Sequence, residues 1–199
     1  MLRKAIYPKV ESLLNSCAGF FRKQGFSPDQ LTLAGLVLNF FAGWIYASGH
    51  FFFAAIVLLL AALGDLLDGP LARLTGRVTK FGAFLDSTVD RYSDFFLFGG
   101  VALYYARQGQ VGWFLISMGI ILGAFVTSYA KARAENLIDH CNVGIFERPE
   151  RIIALALGSL LPPLMGIMLW ILFFGTHATA LHRILHTRKV LSQPAPSGS

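Results

Sequence analysis

Five of the 11 acidic residues in this chain of 199 fall between Asp65 and Asp94. Asp65 and Asp68 are three positions apart and Asp86 and Asp90 four, so on helices each pair shares one face. Carboxylates offer oxygen donors only, and with no His or Cys among them they favour a hard ion, Mg²⁺ or Mn²⁺, over zinc. Four carboxylates can hold two such ions, an arrangement that clamps the attacking and leaving oxygens in phosphoryl transfer. Gly69, Ala72 and Gly82 leave room for a bulky polar ligand close to backbone, and Arg73 and Lys80 flank them with charge suited to phosphate. Small residues also serve tight helix packing in membranes, but packing alone gives the aspartates no role.

The elements that position these residues must be membrane helices. The composition is 55% hydrophobic and only 14% charged, against about 25% charged in soluble domains, which excludes a soluble enzyme. A bilayer core takes about 20 mostly apolar residues per helix. Apolar stretches run over residues 28–48, 51–74, 81–106, 112–135, 148–161 and 163–186, the last two separated by Pro162-Pro163. Ser27-Pro28-Asp29-Gln30 carries an N-cap, a first-position proline and a capping-box glutamine, so a helix starts there. Residues 3–24 place apolar side chains at helical spacing between basic ends, which fits a helix lying in the headgroup plane or one packed on a partner protein. The expected fold is an all-α integral membrane protein, six transmembrane helices preceded by an N-terminal amphipathic juxtamembrane helix. It forms one domain over 1–190, with the interfacial helix at 3–24, the bundle at 28–190 and a disordered tail at 191–199.

Arg107 is the one base of the 17 Lys and Arg in a connection on the far side; the rest collect on the other side with both termini. The positive-inside rule then puts both termini and the aspartates on the cytoplasmic side of the cell (inner) membrane. Cys17 and Cys141 fall on that side and are expected to stay reduced. At mid-membrane each aspartate would cost about 2.5 to 3.5 kcal/mol, so four need cationic compensation.

The run Asp65-Leu-Leu-Asp68-Gly69-Pro-Leu-Ala72-Arg73, followed after eight residues by Gly82-Ala-Phe-Leu-Asp86-Ser-Thr-Val-Asp90, resembles the motif of the CDP-alcohol phosphotransferase family of integral membrane enzymes, with all eight fixed positions filled. The resemblance implies two divalent ions held by Asp65, Asp68, Asp86 and Asp90, with Asp90 also the general base. It implies nucleotide contacts at Gly69, Arg73 and Thr79 and at Asp29, Gln30, Leu31 and Thr32, a region to which Ala72 and Gly82 add space for the CDP-lipid. The implied reaction moves the phosphatidyl group of a CDP-diacylglycerol-type lipid to an alcohol hydroxyl and releases CMP. A homodimer and the membrane are the implied partners, and nucleic acid is not.

Ser128, Lys131 and Arg133 close the fourth apolar stretch, Arg148 and Arg151 open the fifth and Arg183 falls late in the sixth, together a candidate cationic pocket for a phosphorylated acceptor. The same residues can instead be anchors facing lipid headgroups. These segments resemble the inositol-phosphate-using branch of the family, which implies that Lys131, Arg151 and Arg183 hold the acceptor phosphate. Glycerol 3-phosphate is the alternative acceptor, and a cation transporter is the alternative of another class. Asp94 is expected to pair with Arg91 or another nearby base rather than to add a fifth ligand, and His182 and His186 to decorate the last interfacial turn.

Overall fold

A computed structural model describes residues 14–192. The expectations for residues 3–13 and 193–199 therefore lie outside the described residues. The described part contains no strand. Its helices are α1 over 14–23, α2 (Pro28–Ala47), α3 (Phe51–Thr75), α4 (Lys80–Arg107), α5 (Val111–Ala134), α6 (Arg148–Leu160) and α7 (Met165–Leu191), with a short 3-10 turn at Pro162–Leu164 before α7.

Local chemistry sets the ends that matter for the site. Ser27 and Gln30 form the reciprocal capping box of α2, with Gln30 N donating to Ser27 Oγ at 3.2 Å and Ser27 N donating to Gln30 Oε1 at 2.9 Å. Gly76 ends α3 in the left-handed conformation at φ 65°, which costs a glycine little. Thr79 starts α4 by accepting from Gly82 N at 2.9 Å. Pro70 lies inside α3 and cannot donate to the Leu66 carbonyl, so the helical ladder is interrupted between Asp65 and Arg73. Beyond the expected end near His186, α7 continues to Leu191, since nothing in Thr187-Arg-Lys-Val-Leu191 breaks a helix and its bases suit the C-terminal dipole.

Among the described residues four segments are long and apolar enough to cross a membrane: α2, α3, α5 and Pro162–Leu191. Charges fill the first half of α4, and the 13 residues of α6 reach only about 20 Å. Large apolar side chains such as Trp44, Phe53, Leu60, Leu115 and Phe174 face outward, while Tyr46, Leu58, Phe98, Ile120, Leu155 and Leu172 fill the interior. So broad an exposed apolar surface suits hydrocarbon, not water.

The short turn at Gly76 joins α3 to α4 but does not press them together; α2 packs along both, and they lean on it from either side of a cleft. Glycines allow the approach. A Cβ on Gly100 of α4 would meet the backbone of Gly43 in α2, including its Cα at 2.9 Å, and one on Gly35 would strike Asp65 Oδ1 at 2.6 Å. Asn39 Nδ2 donates to Ser93 Oγ at 3.2 Å, tying the same two helices with a buried polar contact. Gly100→Val is therefore expected to lower thermal stability in detergent by about 1 to 3 kcal/mol or more, the usual range for overpacking. Gly99→Ala, where an added Cβ meets nothing within 4 Å, is the matched control and should melt like the parent.

Candidate active site

The cleft that α2 holds open contains a cavity of about 290 Å³. Asp29 and Thr32 from α2 line one wall, Asp68, Gly69, Ala72 and Arg73 from α3 another, and Thr79, Gly82 and Asp86 a third. Seven of the nine positions expected to contact a CDP-lipid thus meet around one space, joined by Pro28, Arg77, Val78 and Ala83. Gly82 is part of its floor, where an added Cβ would sit 3.1 Å from Thr79 Oγ1 and 3.6 Å from Asp29 Oδ1. Gln30 and Leu31 are not brought to it. Gln30 is engaged in the capping box, and Leu31 is buried against Ala18, Leu67 and Leu71, where α1 packs beneath the bundle. Helical geometry explains both: of four consecutive residues only Asp29 and Thr32, three apart, face the cleft.

The aspartates lie between this cavity and a second one. Thr32 Oγ1 donates to Asp68 Oδ2 at 3.0 Å and fixes that carboxylate. Asp86 lines the first cavity and Asp90, one turn on, lines the second. Between Asp65 and Asp90 reaches Arg148 from the start of α6: its Nη1 is 2.8 Å from Asp65 Oδ2 and also contacts Asp90 Oδ1. Asp90 Oδ2 is further met by Arg91 at 3.5 Å. Among the described residues no three acidic, imidazole or thiol groups are grouped as a ready-made ligand set, because Arg148 sits among the carboxylates. The donor chemistry nevertheless fits hard divalent cations: four carboxylates on α3 and α4, all oxygen, two of which, Asp68 and Asp86, stand in different walls of the first cavity.

The second cavity, about 190 Å³, is lined by Asp90, Arg91, Thr127, Ser128, Lys131, Glu147, Arg148, Pro149, Arg151 and Arg183. Ser128, Lys131, Arg151 and Arg183 stand where the candidate acceptor pocket was expected, and Arg133 does not: it is exposed and turned away. Lys131 and Arg133 are two apart on α5, a separation that sends side chains to different faces. The bases are internally engaged. Arg151 Nη2 binds Asp94 Oδ2 at 2.6 Å, with side chains only 3% and 1% exposed, so Asp94 pairs with a base of another helix rather than with neighbouring Arg91. Arg183 donates Nε to the Val143 carbonyl and Nη1 to the Thr127 carbonyl, both at 2.9 Å, and Nη2 to Glu147 Oε1 at 2.6 Å. Glu147 also meets Lys131 at 3.5 Å.

The sequence reading placed Arg148 in the cationic pocket but did not see it among the aspartates. The contact joins residues 58 or more positions apart, and no spacing rule reaches that far; the demand of four membrane carboxylates for a cation was the one available signal. Arg77 was also missed, because its place beside the cleft depends on the turn that follows Gly76.

The chain is 35% identical over 204 residues to a phosphatidylinositol phosphate synthase of Streptomyces avermitilis, covering 95% of this chain and 83% of the relative. It is 38% identical over 180 residues to an archaetidylinositol phosphate synthase of Pyrococcus horikoshii, with 87% and 93% covered. The fold superposes on the crystal structure of Mycobacterium tuberculosis phosphatidylinositol phosphate synthase with CDP-DAG bound at a TM-score of 0.83 and 30% identity, covering 94% of this chain and 98% of that one. The same enzyme in complex with manganese and citrate gives a TM-score of 0.79, again at 30% identity, with 94% and 92% covered. Residues 26–182 match the family described as CDP-alcohol phosphatidyltransferase, and that span takes in the whole aspartate motif, the first cavity, all of the second but Arg183, and the helices from α2 to most of α7, so the chain belongs to the CDP-alcohol phosphatidyltransferase family.

Proposed function

We propose that this protein transfers the phosphatidyl group of a CDP-diacylglycerol-type lipid to the hydroxyl of an inositol phosphate and releases CMP. The observation that carries the reading is that Asp86 and Asp90, one turn apart on α4, line two different cavities, one walled by small residues and the other lined by five bases. The crystallised relative has CDP-DAG bound, and the named relatives are phosphatidylinositol phosphate and archaetidylinositol phosphate synthases, which supports both donor and acceptor.

In this reading Asp29, Thr32 and Gly69 receive the nucleotide, Gly82 keeps the floor low, and Arg73 and Arg77 face the pyrophosphate. Asp65, Asp68, Asp86 and Asp90 hold two Mg²⁺ or Mn²⁺, which when bound neutralise the pyrophosphate and polarise its phosphorus; the manganese complex of the relative supports divalent metal use. Thr32 keeps Asp68 turned toward the cleft. Asp90 accepts the proton of the acceptor hydroxyl, whose oxygen attacks the lipid-bearing phosphorus as the bond to CMP breaks. Ser128, Lys131, Arg151 and Arg183 orient the acceptor through its phosphate.

The same proposal places 1–190 as one membrane domain that crosses the cell membrane six times, α4 and α6 included, with both termini and the aspartates cytoplasmic, an amphipathic N-terminal helix in the headgroup plane, and two copies forming a homodimer. The collection of 16 of the 17 bases on one side supports the orientation. Membranes carrying the protein should release CMP from CDP-diacylglycerol with labelled inositol 1-phosphate and Mg²⁺, turn over glycerol 3-phosphate poorly, and fall silent with EDTA. Preference for glycerol 3-phosphate would overturn the acceptor, and no CMP release with either compound would overturn the reaction.

A further inference from the structure

Every base in the acceptor cavity is already matched by an internal acid. Asp94 holds Arg151, Asp65 and Asp90 hold Arg148, Asp90 meets Arg91, and Glu147 meets both Lys131 and Arg183. Arg148 Nε and Nη2 and Arg151 Nε are buried donors without a partner and can meet an incoming phosphate as they stand, but Lys131 and the third edge of Arg183 reach it only when a carboxylate lets go, and burial decides which carboxylates can. The side chains of Asp94, Asp65 and Asp90 are 1%, 16% and 17% exposed, so releasing their partners leaves charge stranded in a dry place; Glu147 is 47% exposed and can return to water.

Two further observations single out Glu147. It is the N-cap residue of α6, where a side-chain oxygen ordinarily accepts a first-turn amide, yet it makes no such bond and turns toward α5 and α7 instead. The orphan amides of its own helix thus offer it a second resting place. Arg183, for its part, does not depend on Glu147 for position, since Nε and Nη1 are fixed by the carbonyls of Val143 and Thr127. Only its third donor is exchangeable.

We propose that Glu147 is an internal competitor for the acceptor's phosphate: its carboxylate holds Lys131 and the free edge of Arg183 and yields them only to a more highly charged group. The inference rests on the acceptor site proposed above. A phosphate monoester carries about −1.5 to −2 charge and three acceptor oxygens, and so outcompetes a single carboxylate; a neutral hydroxyl does not. Glu147 thereby makes the cavity selective for phosphorylated over free polyols, a specificity role rather than a catalytic one.

Calorimetric titration of the full chain in detergent, with Mg²⁺ and inositol 1-phosphate as the probe, tests this in the parent and in Glu147→Gln and Glu147→Ala. Removing the competing charge is expected to tighten binding by roughly 2- to 5-fold, the size of a half-exposed ion pair, and to lower KM for the acceptor without raising kcat. Unchanged or weaker binding, or a lowered melting temperature in both variants, marks Glu147 as a strut and overturns the proposal. A parent protein that binds inositol 1-phosphate but no variant that binds it more tightly sinks this inference alone. A parent that neither binds it nor releases CMP sinks the acceptor reading beneath it.

Discussion

Asp90→Asn should abolish turnover, lowering kcat for CMP release by at least about 10² to 10⁴-fold, the usual contribution of a positioned general base. The substitution keeps the size of the side chain and its place on α4 but removes the lone pair that takes a proton. Asp86 lines the first cavity and Asp90, one turn on, lines the second, basic one, which in the proposed reaction puts Asp90 nearest the attacking hydroxyl. Arg148 retains Asp65 as a partner, so the helices should stay packed and the melting temperature should change little. Asp86→Asn supplies the contrast, since its loss should weaken divalent-ion affinity and be relieved in part by excess Mg²⁺, while Asp90→Asn should not be. Labelled-CMP release measured across a Mg²⁺ series separates the two, and more than a tenth of parental kcat in Asp90→Asn would remove it from the role of base.

The largest loss of stability is expected at Asp94 and Arg151. Both side chains are almost wholly enclosed, and breaking one partner of such a pair costs about 3 to 5 kcal/mol because the other charge is left buried and uncompensated. Asp94→Asn or Arg151→Ala should therefore melt roughly 6 to 20 °C below the parent in detergent. Replacing both at once, Asp94→Leu with Arg151→Met, should recover most of that stability, since an apolar pair of similar volume often serves as well as a buried ion pair. It should not recover affinity for the phosphorylated acceptor, because Arg151 also lines the acceptor cavity. A double variant as unstable as either single one would mean that the pair's destabilisation is not electrostatic.

What could be read from the sequence follows the range of the interactions. Ser27 acts within four residues of itself, and the start of α2 that it implies is the one observed. The spacing of Asp65 with Asp68 and of Asp86 with Asp90 is likewise a local property, as is the small-residue floor formed by Gly69, Ala72 and Gly82. Partners across the bundle were not legible. Arg148 among the aspartates, Asp94 against Arg151 and Glu147 between Lys131 and Arg183 depend on how α4, α5, α6 and α7 are rotated about their axes. In a lipid-facing bundle rotation is hard to infer, because the outward faces are as apolar as the inward ones and no hydrophobic stripe marks the core. The position of α2 between α3 and α4 was hidden for the same reason: chain order suggests that the helices joined by the shortest turn pack together, and here the glycines of α2 decide otherwise.

Those glycines make the α2–α4 crossing a pivot. Helical rise puts Asp86 about 21 Å along α4 from Gly100, so a tilt of 1° about the crossing moves that carboxylate by about 0.4 Å. The gauge of the aspartate end is thereby fixed at the other end of a lever, by the thickness of two residues without side chains. Substitutions far from either cavity can retune the spacing of the aspartates, and in this fold a hydrogen atom in place of a methyl at Gly43 and Gly100 is part of the active-site geometry.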